Sequence, residues 1–249
     1  MLVSVITPTT GNPLLQQNIQ SIQNQDYKNI EHIIVIDGKE REDDAYKSIK
    51  EIELKKQTYV VTWPYATGKD RFNGHRIYGA NCYLANGDYL VFLDEDNWVD
   101  ENHISSLVEL VSKWQLDWAY SLRKIVDRQG NFITYDDCES LGKWPSFLRE
   151  QDNLVDVNCY FLKKQVAVSI SPLWYRKAKE PGVQDVDRAM CANLIKLYPN
   201  FETTGFYTVN YRVGSTEISV KQEFFIEGNK IMKNKYPNEY PWRNSKWSL

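Results

Sequence analysis

The sequence predicts an α/β fold in which a doubly wound, mostly parallel sheet is flanked by helices and followed by a C-terminal helical extension. Two observations lead to this prediction. Short apolar runs rich in β-branched residues alternate along the chain with segments whose apolar residues recur at helical spacing. Such alternation is typical of parallel strands joined by crossover helices. In addition, 249 residues with 42% hydrophobic and 25% charged side chains are enough for one globular domain of this kind.

The first half of the sheet is predicted from its apolar runs. Between the first two strands, apolar residues recur at helical spacing over residues 13–25, where Pro13 suits a first helical turn and Asn12 its cap. The polar segment 42–52 gives a second helix, and a third extends from about residue 75 to 85. The strands that these helices connect are residues 2–7, 32–37, 58–63 and 89–93.

Three carboxylates, Asp94, Glu95 and Asp96, directly follow the fourth strand. If the chain stays extended there, Asp94 and Asp96 point to one side and Glu95 to the other. Ligands of doubly wound sheets bind outside the carboxyl ends of the strands, so we expect these groups to share a crevice with "TPTT" at residues 7–10 and with Asp37. Two convergent carboxylates suit Mg²⁺ or Mn²⁺, whose shell substrate phosphates and water complete.

Other interpretations of the acidic triplet remain open. A solvated acidic turn after a buried strand is a common arrangement. A calcium loop of the EF-hand type is disfavoured because no glycine occupies the sixth loop position and no helix precedes the loop. An aspartyl nucleophile of the phosphatase type is disfavoured because such sites usually follow the first strand.

The composition excludes several classes of protein. A net charge of -3 with interspersed signs provides no basic stripe, so no nucleic-acid partner is expected. No apolar run approaches the roughly 18 residues that span a bilayer, and no basic leader precedes the first strand, so we expect a cytoplasmic protein. Four cysteines, Cys82, Cys138, Cys159 and Cys191, lie far apart and are expected to be reduced and mostly buried.

Two stretches carry a resemblance to a known family. "VSVITPTTGNPLLQQNIQSIQNQDYKNIEHIIVIDG" followed by "ANGDYLVFLDEDN" resembles the nucleotide-binding half of the family 2 glycosyltransferases, inverting enzymes with the GT-A fold. The likeness continues more weakly through "GVQDVDRAMCANL" and "VNYRVGSTEIS". It implies a single GT-A domain over residues 1–215, with a nucleotide-binding half (1–100) and an acceptor-binding half (101–215). Residues 216–249 are then a C-terminal helix and tail packed on the domain.

The resemblance also implies roles for individual residues. Asp37 accepts hydrogen bonds from the base, usually uracil in this family, and Asp94 lies near the ribose and the metal. Asp96 ligates the Mn²⁺ or Mg²⁺ that bridges the diphosphate. The predicted nucleotide-binding residues are Thr7, Pro8, Thr9, Asp37, Arg71, Arg76, Asp94 and Glu95, and the predicted metal ligands are Asp94 and Asp96.

The loop "YATGKDRFNGHR" (65–76) combines glycines with Arg71 and Arg76 and is predicted to cover the diphosphate, the alternative being a solvated basic loop. Here the sequence departs from the family pattern, which has an Arg-Asn pair where Tyr78 and Gly79 stand. A second departure is the absence of the histidine that often follows the last strand; Val213, Gly214 and Ser215 stand there instead.

Inverting transfer requires a general base for the acceptor hydroxyl. The resemblance assigns this role to Asp185, at the amino end of a helix predicted from the apolar spacing of residues 186–197, with Asp187 as the reserve candidate. The alternative is that Asp185 only caps the helix. For the acceptor, aromatic residues at 98, 144, 174 and 175 are candidates, although most large aromatics pack in cores.

The resulting hypothesis is a metal-dependent inverting glycosyltransferase that moves a sugar from a nucleotide-diphosphate donor, with a UDP-sugar favoured, to a hydroxyl of a surface glycan or lipid-linked saccharide. The alternatives are a sugar nucleotidyltransferase, disfavoured because "TPTTGNP" has one glycine and no basic residue, and a catalytically silent nucleotide-sugar-binding module. The aromatic and basic tail is compatible with peripheral membrane contact or a homodimer. We favour packing on the domain because three glutamates dilute its basic residues.

Overall fold

The structure is a computed structural model that describes residues 1–148, 152–176, 185–214 and 219–243. Its strands are β1 (Val3–Thr9), β2 (Ile30–Ile36), β3 (Gln57–Thr62), β4 (Tyr89–Phe92), β5 (Trp98–Val99), β6 (Trp118–Val126), β7 (Phe132–Tyr135), β8 (Tyr160–Lys163) and β9 (Phe201–Arg212). Its helices are α1 (Leu15–Gln23), α2 (Glu42–Lys50), α3 (His75–Leu84), α4 (His103–Trp114), α5 (Lys164–Ile170), α6 (Asp185–Leu197) and α7 (Gln222–Lys235).

Within the described residues, the strands form one sheet in the order β3-β2-β1-β4-β8-β6-β9-β5, with β7 paired to β6. β3, β2, β1 and β4 are parallel, as predicted. Beyond β4 the sheet is mixed, because β8 lies antiparallel to both β4 and β6 while β6 and β9 are parallel. The predicted α/β class with a sheet flanked by helices is confirmed, and the parallel arrangement belongs to the first half of the sheet.

Burial explains why the parallel strands are continuous apolar runs. All residues of β1, β2 and β4 are buried, as expected for strands covered on both faces. The small cluster that joins α1 and α2 to β2 consists of Leu15, Ile19, Ile34, Ile36, Ala45 and Ile49. A much larger core packs the remaining helices on the sheet, and all four cysteines lie in it as free thiols.

The chain does not stay extended after β4, which differs from the simplest expectation. The strand ends at Phe92, and the backbone N–H of Asn97 donates to the carbonyl of Asp94 at 3.1 Å, which closes a turn over the acidic triplet. A two-residue strand, β5, then pairs with β9. The three carboxylates therefore leave the sheet edge in directions set by this turn and not by strand alternation.

The described part of the C-terminal segment contributes to the core. Phe225 and Met232 of α7 and Trp242 beyond it are fully buried. Trp242 Nε1 donates to Asp137 Oδ1 at 2.8 Å, and Arg243 Nε donates to the same oxygen at 3.0 Å. Residues 244–249 lie outside the described part of the chain. None of the helices in the described ranges is long and apolar enough to cross a membrane.

Because Trp242 is fully buried and hydrogen-bonded, Trp242→Ala should lower the free energy of unfolding by about 3–5 kcal/mol, the usual cost of removing a large core aromatic. The matched control is Trp114→Ala, whose side chain is 52% exposed and should have a small effect. Denaturant unfolding of both variants measures the difference. Equal costs for the two variants would contradict the packing of the C-terminal segment on the domain.

Candidate active site

The carboxyl end of β1 is held in place by hydrogen bonds inside the protein. The hydroxyl of Thr7 is buried and lies 3.3 Å from Asn18 Oδ1 and 2.9 Å from His32 Nε2. Pro8 backs onto the loop before α3, where a Cβ on Gly74 would lie 2.7 Å from the proline ring. The side chains of Thr7 and Pro8 thus point into the protein and hold this part of β1 in place. Their predicted contacts with a nucleotide would be made by backbone atoms.

Glu95 reaches across to the β1–α1 loop. Its carboxylate accepts hydrogen bonds from the hydroxyl of Thr9, from the N–H (3.1 Å) and hydroxyl (2.7 Å) of Thr10, and from the N–H of Asn12 (3.1 Å). Charge-assisted hydrogen bonds of this kind are stronger than neutral ones. Glu95 thus joins the loop after β1 to the turn after β4 and fixes the position of one relative to the other.

Asp37, at the end of β2, holds the loop at residues 65–76. Its carboxylate accepts from the N–H (2.6 Å) and hydroxyl (2.7 Å) of Thr67 and from the N–H of Gly68 (2.8 Å). A Cβ on Gly68 would lie 2.5 Å from the carbonyl of Asn73, so only glycine fits there. Arg71 sits in this loop with a φ of 70°, a conformation that non-glycine residues rarely adopt.

Asp94 is surrounded by neutral donors. Its carboxylate accepts from the hydroxyl of Tyr78 at 2.6 Å and from Nδ2 of Asn158 at 3.1 Å, and its N–H donates to Asn158 Oδ1 at 2.7 Å. Burial of the carboxyl group and the adjacent charge of Asp96 raise its pKa to about 7, against the opposing effect of these hydrogen bonds. Two neighbouring carboxylates whose negative charges repel each other are electrostatically complementary to a cation.

The backbone of Asp96 is fixed by an arginine from the far end of the sheet. Arg212, in β9, donates from Nε to the carbonyl of Asp96 at 3.0 Å and from Nη2 to Gln17 Oε1 at 2.6 Å. Its guanidinium also lies 4.9 Å from the ring of Trp98. Asp96 is half-buried. The turn is therefore tied to β9 on one side and to α1 on the other.

A buried ion cluster lies behind Asp94. The fully buried guanidinium of Arg123 donates to Asp136 at 2.7 Å, to Glu139 at 3.2 Å and to Asp156. Asp156 in turn accepts from the side chain of Asn158 at 2.7 Å, and Asn158 contacts Asp94. A continuous chain of hydrogen bonds thus connects the arginine to the acidic triplet.

The amino end of α6 carries the predicted base Asp185 and the reserve candidate Asp187. The side chain of Asp185 lies outside the described part of the structure, but the side chain of Asp187, two residues later, is described. Burial and the charges of Asp156 and Asp94 hold the pKa of Asp187 well above its usual range. Its Oδ1 atom is buried without a hydrogen-bond partner. Arg188 anchors this turn through Glu139 and Asp152, each at 2.9 Å.

The structure shows no contact between Arg76 or His103 and the acidic triplet among the hydrogen bonds of the described residues. The guanidinium of Arg76 lies 3.6 Å from the ring of Phe72, and its Nη1 is 3.5 Å from the carbonyl of Thr67. His103, the first residue of α4 and close in sequence to the acidic turn, is buried in the core with Nδ1 2.7 Å from the hydroxyl of Thr208. Ser215 lies outside the described residues. Among the residues that the structure describes, no group of three metal-binding side chains converges.

Sequence reasoning missed the residues that support Asp94. The sequence marks Tyr78 only as a departure from the family pattern. Its position in the first turns of α3, four residues after Gly74, is the signal that could have placed its hydroxyl near the carboxyl end of β4. Asn158 and Arg123 have no local signal in the sequence. Asp94 lies 64 residues before Asn158, and the three carboxylate partners of Arg123 lie 13, 16 and 33 residues after it.

We expect Arg123→Met to cost about 3–5 kcal/mol of folding free energy, since removing one partner leaves buried carboxylates without a counter-charge. The control is Lys143→Met, which breaks a partly exposed pair with Glu202 (2.8 Å) and should cost at most about 1 kcal/mol. Urea unfolding of both variants gives the two values. A cost for Arg123→Met no larger than the control would show that the cluster does not stabilise the fold.

Comparison with known proteins identifies the family. The model of glycosyl transferase family 2 matches residues 4–163. The chain is 29% identical over 133 residues to a Campylobacter jejuni GalNAc(5)-diNAcBac-PP-undecaprenol beta-1,3-glucosyltransferase, covering 52% of this chain and 40% of that protein. It is 24% identical over 143 residues to glycosyltransferase GlyA of Streptococcus pneumoniae, covering 56% of this chain and 18% of that protein. The chain thus spans less than half the length of either curated relative.

The fold is shared with a solved glycosyltransferase structure. A crystal structure of S. aureus TarS in complex with UDP-GlcNAc superposes with a TM-score of 0.66 at 15% identity, covering 96% of this chain and 67% of that one. A second structure, of TarS with UDP, gives a TM-score of 0.61 at 14% identity, covering 96% and 66%. The likeness to TarS shows the fold alone, and it confirms the predicted GT-A fold. Because the family model matches more than half of this chain, the chain belongs to glycosyl transferase family 2.

Proposed function

We propose that the protein is a metal-dependent inverting glycosyltransferase that transfers a sugar from a UDP-sugar to a hydroxyl of a lipid-linked saccharide or surface glycan. One observation carries this proposal. In a chain of this family, β1, β2 and β4 are parallel, so Asp37 after β2 and the turn with Asp94 and Asp96 after β4 follow strand ends at the same edge of the sheet. The charge of Asp94 also contributes to the raised pKa of Asp187, near the amino end of α6. The arrangement offers a place for the donor and, beside it, a carboxylate for the acceptor hydroxyl.

The donor set fits a divalent cation. Asp94 and Asp96 offer hard oxygen ligands. Their negative charges repel each other, since the charge of Asp96 helps to raise the pKa of Asp94. One or two carboxylates with substrate phosphates and water are the usual shell of Mg²⁺ or Mn²⁺. Asp96 is the proposed ligand, with Asp94 next to it. When bound, the cation would neutralise the charge that develops on the diphosphate leaving group.

The proposed nucleotide side of the crevice is supported by two features. Asp37, the proposed partner of the base, orders the loop at residues 65–76 through Thr67 and Gly68. That loop also carries Arg71, the proposed partner of the diphosphate. TarS was crystallised with UDP-GlcNAc and with UDP, which supports a uridine nucleotide for a chain of the same fold.

The base that deprotonates the acceptor is proposed to be Asp185, at the first position of α6, with Asp187 as the alternative. A base in an inverting enzyme takes the proton of the attacking hydroxyl on the face of the sugar opposite the diphosphate. The electrostatic proximity of Asp187 to Asp94 supports the placement of this helix end next to the donor. The curated relative named for an undecaprenol-linked saccharide supports the same class of acceptor.

Asp96→Ala should abolish Mn²⁺-dependent binding of UDP, because the proposed metal ligand is lost while the turn keeps its backbone hydrogen bond to Arg212. Asp43→Ala, which removes an exposed carboxylate on α2, is the control and should bind UDP as the wild type does. Isothermal titration with UDP, with and without Mn²⁺, measures the effect. Unchanged UDP affinity in Asp96→Ala would remove Asp96 from the metal site.

Asp185→Asn should lower the transfer rate by about a hundredfold or more, the scale of a lost general base, and leave UDP affinity unchanged. The same pair of measurements on Asp187→Asn separates the two candidates. If Asp185→Asn turns over at nearly the normal rate while Asp187→Asn does not, the base is Asp187. Normal transfer by both variants would contradict the proposed role of this helix end.

A further inference from the structure

A second concave site lies on the other side of Tyr78. It is a slot of about 370 Å³ between α3 and the 3-10 helix at Ser171–Tyr175. Gly79 forms part of its floor, and the two elements approach closely there, since a Cβ on Gly79 would lie 3.2 Å from the Cβ of Trp174. Of the residues predicted to bind the nucleotide or the metal, the slot contains Arg76 alone.

The walls of the slot are aromatic and open to solvent. The side chains of Tyr83 and Tyr175 are 60% and 69% exposed, which is unusual for large rings that line the same cavity. Trp174 is fully buried at the base of the slot, and its Nε1 has no hydrogen-bond partner among the described residues. Large exposed apolar surfaces that line a cavity are typical of ligand-binding sites.

The described lining of the slot includes one positively charged side chain. Arg76 lines it, and its guanidinium lies 3.6 Å from the ring of Phe72 and 5.2 Å from that of Tyr175. Within the described ranges this guanidinium forms no ion pair with a carboxylate; its Nη1 lies 3.5 Å from the carbonyl of Thr67, and its buried Nε has no hydrogen-bond partner. An arginine that is desolvated by aromatic rings and lacks a carboxylate favours an anion.

We propose that this slot binds the isoprenoid chain and phosphate of a polyprenyl-phosphate-linked acceptor, with the chain against Tyr83 and Tyr175 and the phosphate at Arg76. The inference rests on the proposed function, because it names the acceptor of the same active site. The walls are mainly apolar and aromatic, which suits a hydrocarbon. The hydroxyl of Tyr83 already accepts from Ser171 at 3.1 Å, which leaves few polar groups for a saccharide.

The position of the slot relative to the reaction centre supports this assignment. The ring of Trp174 lies 5.4 Å from that of Tyr78, whose hydroxyl donates to Asp94 at 2.6 Å. A single side-chain layer therefore separates the two sites. A saccharide held by its lipid phosphate at Arg76 could extend past this layer toward the donor sugar.

The test is isothermal titration with farnesyl phosphate, a short isoprenoid phosphate, below its critical micelle concentration. Arg76→Gln and the double variant Tyr83→Ala with Tyr175→Ala should each weaken binding by about tenfold, through the lost charged hydrogen bonds and the lost aromatic contacts respectively. Phe132→Ala removes an aromatic that is 56% exposed on β7 and should bind as the wild type does. Farnesol and inorganic phosphate should each bind much more weakly than farnesyl phosphate.

Several outcomes would overturn the inference. Equal binding of farnesyl phosphate by the double tyrosine variant and the wild type would exclude the slot, and equal binding of farnesol would exclude the phosphate contact. Equal binding of dodecyl phosphate would exclude an isoprenoid-specific site and indicate a general alkyl phosphate, such as a membrane lipid. A fall in UDP affinity in Arg76→Gln with unchanged farnesyl phosphate binding would assign this arginine to the donor.

The same titrations separate this inference from the proposed function. If UDP binds in the presence of Mn²⁺ but farnesyl phosphate does not bind, the slot assignment is wrong and the donor site stands. If farnesyl phosphate binds at the slot but no UDP-sugar binds or reacts, the slot assignment stands and the proposed transfer is wrong.

Discussion

The concentration of negative charge behind β4 is the constraint on which the site depends. Asp136, Glu139 and Asp156 are buried, and each would be costly to ionise in a protein interior without a counter-charge. Arg123, fully buried at their centre, offsets this cost by hydrogen bonds to all three. Because Asp136 and Glu139 lie in the segment after β7 and Asp156 lies in the segment before β8, the arginine also ties these two segments together.

This constraint extends into the candidate active site through Asn158. Its side chain contacts both Asp156 and Asp94, so the geometry of the ion cluster determines the orientation of the acidic turn. On the opposite side, Tyr78 donates to the same Asp94 carboxylate. The turn is thus held between α3 and the segment before β8, and Glu95 and Arg212 fix its remaining sides. A site assembled from rigid, mutually supporting contacts suits chemistry that requires accurate placement of two substrates.

The sequence predicted the strands of the parallel half to within about two residues, because buried parallel strands are continuous apolar runs with few competing interpretations. It also brought Asp37, Asp94 and Asp96 to one edge, since parallel strands share the direction of their carboxyl ends. It could not predict the turn after Phe92, which depends on contacts between Glu95 and a loop more than 80 residues earlier. For the same reason Arg123, Asn158 and the aromatic slot beside Arg76 became visible only in three dimensions.

The account depends on the acidic turn being a donor site that requires a metal. The most direct measurement is the thermal shift of the purified protein with a panel of nucleotides and nucleotide sugars, each with Mn²⁺, with Mg²⁺ and with EDTA. A ligand that binds the folded state raises its stability, so the account predicts stabilisation by uridine nucleotides that EDTA removes. No shift with any nucleotide, or a shift that EDTA leaves unchanged, would contradict it, and the carboxylates at 94 and 96 would then serve the fold alone.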